Sequence, residues 1–242
     1  MDTLEGLFKW SHDWLMLGLN GQPLETEEGK EVRVYQRVIG DADLQLARET
    51  ALRAAALQRK KLEEDSSLDR ASLVPNYTYM DKGEITALII LTELHEIRRK
   101  ADRELVFPYP EPPSSSATLE EQEQYQEAID TYFERREKEL KELIQDKVEM
   151  RKKELRKLSK DQLRVVHETA AIESSCRDVF LSILNEFMAY RGTFLDPEFI
   201  KRAYPSFNAF RNASPIAKRQ IIANYANLEL KGDQLKKLPE AS

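Results

Sequence analysis

Between Thr118 and Tyr190 the chain contains neither proline nor glycine, and no other feature restricts its fold as much. Glu, Gln, Lys, Arg, Leu and Ala fill most of these positions, all strong helix formers. The stretch opens on Thr118-Leu-Glu-Glu121, a capping box: the threonine hydroxyl accepts an orphan amide and the glutamate reaches back to the cap's own N–H. Continued only as far as Leu158, such a helix would be roughly 60 Å long, longer than a small domain is wide. The expected fold is therefore mainly α, a helical bundle carrying a long charged helix or helical arm.

Charge along this stretch is sorted by position. Acids outnumber bases from Glu120 to Glu142, and the order reverses with Lys147, Arg151, Lys152, Lys153, Arg156, Lys157 and Lys160. Acids near a helix start and bases near its end complement the helix dipole, and pairs such as Glu134 with Lys138 and Glu137 with Lys141 support a solvated surface. The same sorting would suit an antiparallel partner, in this chain or another. Nucleic acid is a poor match for the basic part, because Glu149 and Glu154 interrupt it and no aromatic is interleaved.

The apolar positions change character along the stretch. Tyr125, Ile129, Phe133, Leu140, Ile144, Val148, Leu155 and Leu158 are spread out, as on a protruding arm or hairpin limb. Ser159-Lys-Asp-Gln162 repeats the capping-box pattern, so the helix either breaks and restarts there or continues. Beyond it Leu163, Val166, Ala170, Val179, Phe180, Ile183, Leu184, Phe187 and Met188 form the broad stripe of a core helix.

Upstream, Val32, Val34 and Val38 alternate with Arg33, Tyr35 and Arg37, a strand at period two. Trp14 to Leu19 offers an antiparallel partner, after which Asn20-Gly21 signals a turn. A two-stranded piece is marginal alone and must lean on a helix or another subunit. Asp41 and Asp43 can cap a helix to about Glu64 whose stripe is Leu44, Ala47, Ala51, Ala54, Ala55 and Leu62. Asp81 with Glu84 caps another, with Ile85, Leu88, Ile89, Leu91, Thr92, His95 and Ala101 on its apolar face. Pro108, Pro110, Pro112 and Pro113 then enforce extended geometry. These signals divide the chain into 1–106, a β element plus helices; 107–117, a linker; 118–158, the long helix; 159–234, a helical bundle; and 235–242, a flexible tail.

Composition excludes several classes of function. A net charge of -6 argues against an electrostatic grip on DNA or an anionic membrane. No apolar run approaches the roughly 20 residues needed to span a bilayer, and no signal peptide opens the chain, so a cytoplasmic protein is expected. His12, His95 and His167 are far apart, and His95-Glu96 lacks the second histidine of a zinc helix. Cys176 is alone and reads as a small core residue. With no nucleophile set, phosphate loop or metal cluster, the expectation is a non-enzyme without cofactor or metal.

The C-terminal region is punctuated by caps and rings. Asp196-Pro197 and Ser214-Pro215 each place a cap before a proline, Ser206 can cap the turn holding Phe207 and Phe210, and Gly232 would close the last helix. The run Arg191-Gly-Thr-Phe-Leu-Asp-Pro-Glu-Phe-Ile-Lys-Arg-Ala-Tyr-Pro-Ser-Phe207, followed by a helix ending Leu228-Glu-Leu230, resembles the C-terminal pattern of bacteriophage tail assembly chaperones. That resemblance covers about a quarter of the chain. It implies a non-enzymatic factor of the host cytoplasm that coats the tape measure protein and recruits tail tube subunits. The family's longer product, made by ribosomal slippage, would find a slippery codon pair at Lys236-Lys237.

Such a chaperone needs an apolar groove for its clients. Candidate groove residues are Phe187, Tyr190, Phe194, Phe199, Tyr204, Phe207 and Phe210, with core packing as the ordinary alternative for each. Phe180, Leu184 and Phe187 are the expected face for self-association or partner binding. A structural or adaptor protein, using the long helix for coiled-coil contacts in a larger particle, is the other reading.

Overall fold

The computed structural model describes residues 11–18, 22–26, 28–64, 73–113 and 118–236, and side chains as far as Leu228. The fold is mainly α. Among the described residues it has six α-helices, a short 3-10 turn and one small antiparallel sheet. Phe8, Trp10, Asn20-Gly21 and Ser114 to Ser116 lie outside the described residues.

Two compact units form, one from residues 1–60 and 176–242, the other from residues 61–175. The boundary expected at the proline-rich stretch is thus not where the chain divides. That stretch lies inside the second unit, because its rings fold back onto a helix: Phe107 and Tyr109 both pack on Tyr132, at 5.2 and 4.9 Å between ring centroids.

In the first unit the sheet has the order β1-β2-β3. β1 (Ser11–Leu15) pairs antiparallel with β2 (Arg33–Arg37), Trp14 opposite Val34. Bridges between Leu17 and Pro23 and between Glu25 and Glu31 fold the long connection back on itself. The third strand, β3 (Thr193–Phe194), arrives from far along the chain to pair with Tyr35 and Gln36. Helix α1 (Asp41–Glu63) turns its small residues inward as expected, with Ala47 and Ala51 buried. They meet the second half of α4 (Lys160–Arg191), the short α5 (Phe207–Arg211) and α6 (Pro215–Lys236) in one core around Val34, Phe187, Met188, Tyr190, Phe210, Ile221 and Tyr225. Cys176 is buried and free of disulfide.

In the second unit, α2 (Lys82–Glu104) and α3 (Leu119–Arg156) pack against each other. Both start on the capping boxes read from sequence, Asp81 with Glu84 and Thr118 with Glu121. Ile85, Ile89 and Ile90 of α2, Leu155 of α3, Leu163 of α4 and Tyr77 form the core. Leu91, expected on the inner face, is 68% exposed while Ile90 takes the buried position. His95 is exposed. The long helix does break: Ser159 N–H donates to Gln162 Oε1 at 2.8 Å and Gln162 N–H to Ser159 Oγ at 3.2 Å, so α4 starts afresh.

Three expected C-terminal features differ. Asp196-Pro197 opens a turn in place of a helix: Asp196 accepts from Ile200 and Lys201 N–H, and Phe199 adopts φ +58°, which no right-handed helix allows. Gly232 does not end α6, which continues to Lys236, since one internal glycine costs only about 1 kcal/mol. Leu235 and Lys236, assigned by sequence to the tail, therefore belong to that helix.

Candidate functional site

The nine aromatic and aliphatic residues proposed as a partner surface do not share one fate. Phe187, Tyr190 and Phe210 are buried in the core of the first unit, and Leu184, Tyr204 and Phe207 pack against it. Edge-to-face contacts tie them together, with Phe187 and Phe207 centroids 4.9 Å apart and Tyr204 and Phe210 5.2 Å apart. Offset and edge-on ring pairs of this kind add about 0.5–1.5 kcal/mol beyond burial. Phe180 is partly buried. The buried rings are thus corrected from groove to core: once α4, α5 and α6 meet, their apolar faces satisfy one another.

Phe194 and Phe199 are different. Phe194 is 2% exposed, and its ring lies 5.5 Å edge-on from Phe199. Arg37 of β2 sits over both rings, its guanidinium carbon 5.1 Å from the Phe194 centroid and 5.2 Å from that of Phe199. Arg202 joins from the other arm of the loop, 5.4 Å from Phe194 and 5.9 Å from Tyr190. Two cations share one buried ring, whose negative face attracts each.

Local sequence builds this cluster. Arg37 N–H donates to Gly192 O at 3.0 Å, Ala203 N–H to Thr193 O at 3.1 Å and Leu195 N–H to Lys201 O at 2.8 Å, so residues 192–203 form a hairpin added to the edge of β2. The turn is clasped by the Asp196 carboxylate, held below its usual pKa by the Ile200 amide and those that follow. Phe199 pays for its position with a left-handed backbone, worth on the order of 1–3 kcal/mol for a bulky residue. Gly192 is required where α4 meets β2: an added Cβ would lie 2.3 Å from Tyr225 Cε2 and 2.6 Å from the Arg37 carbonyl oxygen.

A buried amide holds the hairpin in register. Gln36, fully buried, donates from Nε2 to Thr193 Oγ1 and to Ile221 O, both at 3.0 Å. Its Oε1 accepts from Trp14 Nε1 at 3.1 Å and lies 3.0 Å from His12 Nε2. Arg191 pairs with Asp43, and its carbonyl accepts Arg202 Nη1 at 2.8 Å. Apart from that bond, neither the Arg37 nor the Arg202 side chain makes a hydrogen bond or ion pair among the described residues. Two guanidinium groups set against one ring, with no carboxylate partner among the described residues, stand out.

Sequence reasoning missed both arginines. Arg37 reads as an ordinary outward strand position, and Arg202 has its ring partners on other elements, so no local spacing marks either. Phe194, Phe199 and Tyr190 were singled out as rings, and the fold does bring them together.

The second unit presents another surface. From Leu119 to Glu139 no α3 residue is buried, the first being Leu140. Leu119 is 73% and Phe133 65% exposed, and Tyr109 and Val106 are exposed as well. From Arg136 on, α3 is met by α2 as an antiparallel partner: Arg151 grips Glu93 with two bonds of 2.8 Å, Lys147 pairs with Glu104 and Arg136 with Asp102. The partner anticipated for the basic half is thus in the same chain.

Among the described residues, no group of three or more His, Cys, Asp or Glu is arranged to hold a metal ion, and no helix is long and apolar enough to cross a membrane. Compared with protein-family models, curated proteins and solved structures, the chain matches none of them.

Proposed function

We propose that this chain is a non-enzymatic bacteriophage tail assembly chaperone, which binds the tape measure protein, tail tube subunits or both while a virion is built. The observation that carries the reading is the first half of α3, where no residue is buried even though Tyr132 takes the rings of Phe107 and Tyr109. Its exposed Leu119 and Phe133 stand among Glu120, Glu121, Glu123, Glu127, Asp130 and Glu134. An apolar stripe inside a charged margin suits reversible cover for an amphipathic client helix. The C-terminal pattern from Arg191 to Phe207 supplies the family, and the cytoplasm of the host is the expected place of work.

Co-expression with a phage tape measure protein tests this. The client should become soluble and co-purify with the wild-type chain, and Leu119→Asp with Phe133→Asp should abolish both effects without lowering the melting temperature. Purified mature particles should lack the chain. Finding it there in fixed copy number would favour a structural or adaptor subunit that uses the long helix for permanent contacts.

A further inference from the structure

We propose that Arg37 and Arg202 form a binding site for the carboxylates of an acidic peptide segment on a partner protein. This goes beyond the chaperone reading and stands apart from the α3 surface that carries it.

Among the described residues, both guanidinium groups are positioned by rings and not by acids. Arg37 lies over Phe194 and Phe199, and Arg202 over Phe194 and Tyr190. A guanidinium held over a ring leaves N–H groups for a planar carboxylate: Arg37 offers its whole fork for two parallel hydrogen bonds, and Arg202, with Nη1 on the Arg191 carbonyl, offers the N–H groups that remain. The stacking also removes much of the side-chain freedom that a surface arginine would lose on binding. Arg202 is held further by its bond to the Arg191 carbonyl, and Phe199 is kept beneath Arg37 by a turn whose backbone is strained at that residue. Strain held in place by a carboxylate clasp is the kind found where a side chain must be presented.

The charge balance favours a peptide over a nucleic acid. Two cations suffice for one or two carboxylates, whereas a strand with a phosphate at every step would meet a chain of net charge -6.

The intact chain should be titrated at low salt with a fluorescent acidic octapeptide, its glutamine counterpart and a labelled single-stranded octanucleotide. The acidic peptide alone should bind, with affinity falling as salt is raised. Arg37→Gln and Arg202→Gln should each weaken binding about tenfold or more, as expected for loss of a charge-assisted bond. Because Arg202→Gln also removes a backbone contact, Arg37→Lys is the cleaner variant: it keeps the charge, loses the flat fork, and should bind several-fold more weakly at unchanged melting temperature. Equal binding of the glutamine peptide, preference for the oligonucleotide, or full affinity in Arg37→Gln would overturn the proposal and leave the arginines as covers for the rings. None of these outcomes depends on capture of a tape measure protein, so the two readings fail separately.

Discussion

At Gly192 a missing side chain decides whether a helix can meet a strand. The carbonyl of Arg37 is backbone and cannot swing aside, and Tyr225, whose hydroxyl accepts Ile39 N–H at 3.1 Å, is pinned from its other end. Gly192→Ala should therefore destabilise the first unit by about 1–3 kcal/mol, the range for overpacking, read as a lower urea midpoint with unchanged slope. His167 decides pH response. It is 4% exposed, with Nδ1 2.6 Å from Tyr77 Oη. Burial, with help from Glu168, pushes the Tyr77 phenol up to about 12, and the phenol and Nδ1 share one hydrogen bond whose direction follows the imidazole tautomer. Burial also lowers the pKa of His167 below its usual 6.5, outweighing the pull of Glu168. The unfolded chain thus takes up a proton before the folded one. Stability is full above about pH 6.5 and falls as pH drops through that value toward the lower folded pKa. Urea midpoints at pH 7.5 and 5.5 should show the loss, and His167→Gln should flatten it.

At the scale of elements, four of the six helices among the described residues begin where caps were written into the sequence, whereas Asp41 and Asp43 lie within the first turn of α1. Asp81, Thr118, Ser159 and Ser206 all act locally, within a few residues of the amides they satisfy, which is why each could be read in advance. Helix ends were harder: Gly232 weakens α6 without stopping it. α3 shows how unevenly one helix can matter. Leu155→Ala removes a fully buried side chain from the second unit's core and should cost about 2–5 kcal/mol. Phe133→Ala removes a larger but mostly exposed ring and should change stability by less than about 0.5 kcal/mol. Thermal melts of the two variants check this directly, and a large loss in Phe133→Ala would show that the outer half of α3 is packed.

For the molecule as a whole, an isoelectric point near 5.4 sets when its exposed apolar residues become a liability. Light scattering at low salt should peak close to that pH and fall away on either side as net charge returns. The first unit is assembled from residues 1–60 and 176–242, so β3 and the ring-bearing loop reach β2 only after the intervening chain has been made. Helix content, a strand within Val32 to Val38, the N-caps at Asp81, Thr118, Ser159 and Ser206 and the small-residue stripe of α1 were determined by the sequence alone, because periodicity and capping act over a few residues. Tertiary structure decided the rest. It chose the third strand and the antiparallel partner of α3, turned Phe187, Tyr190 and Phe210 from surface to core, and set Arg37 and Arg202 against a shared ring. Those outcomes rest on contacts between residues far apart in the chain, where no local pattern records which face will be covered.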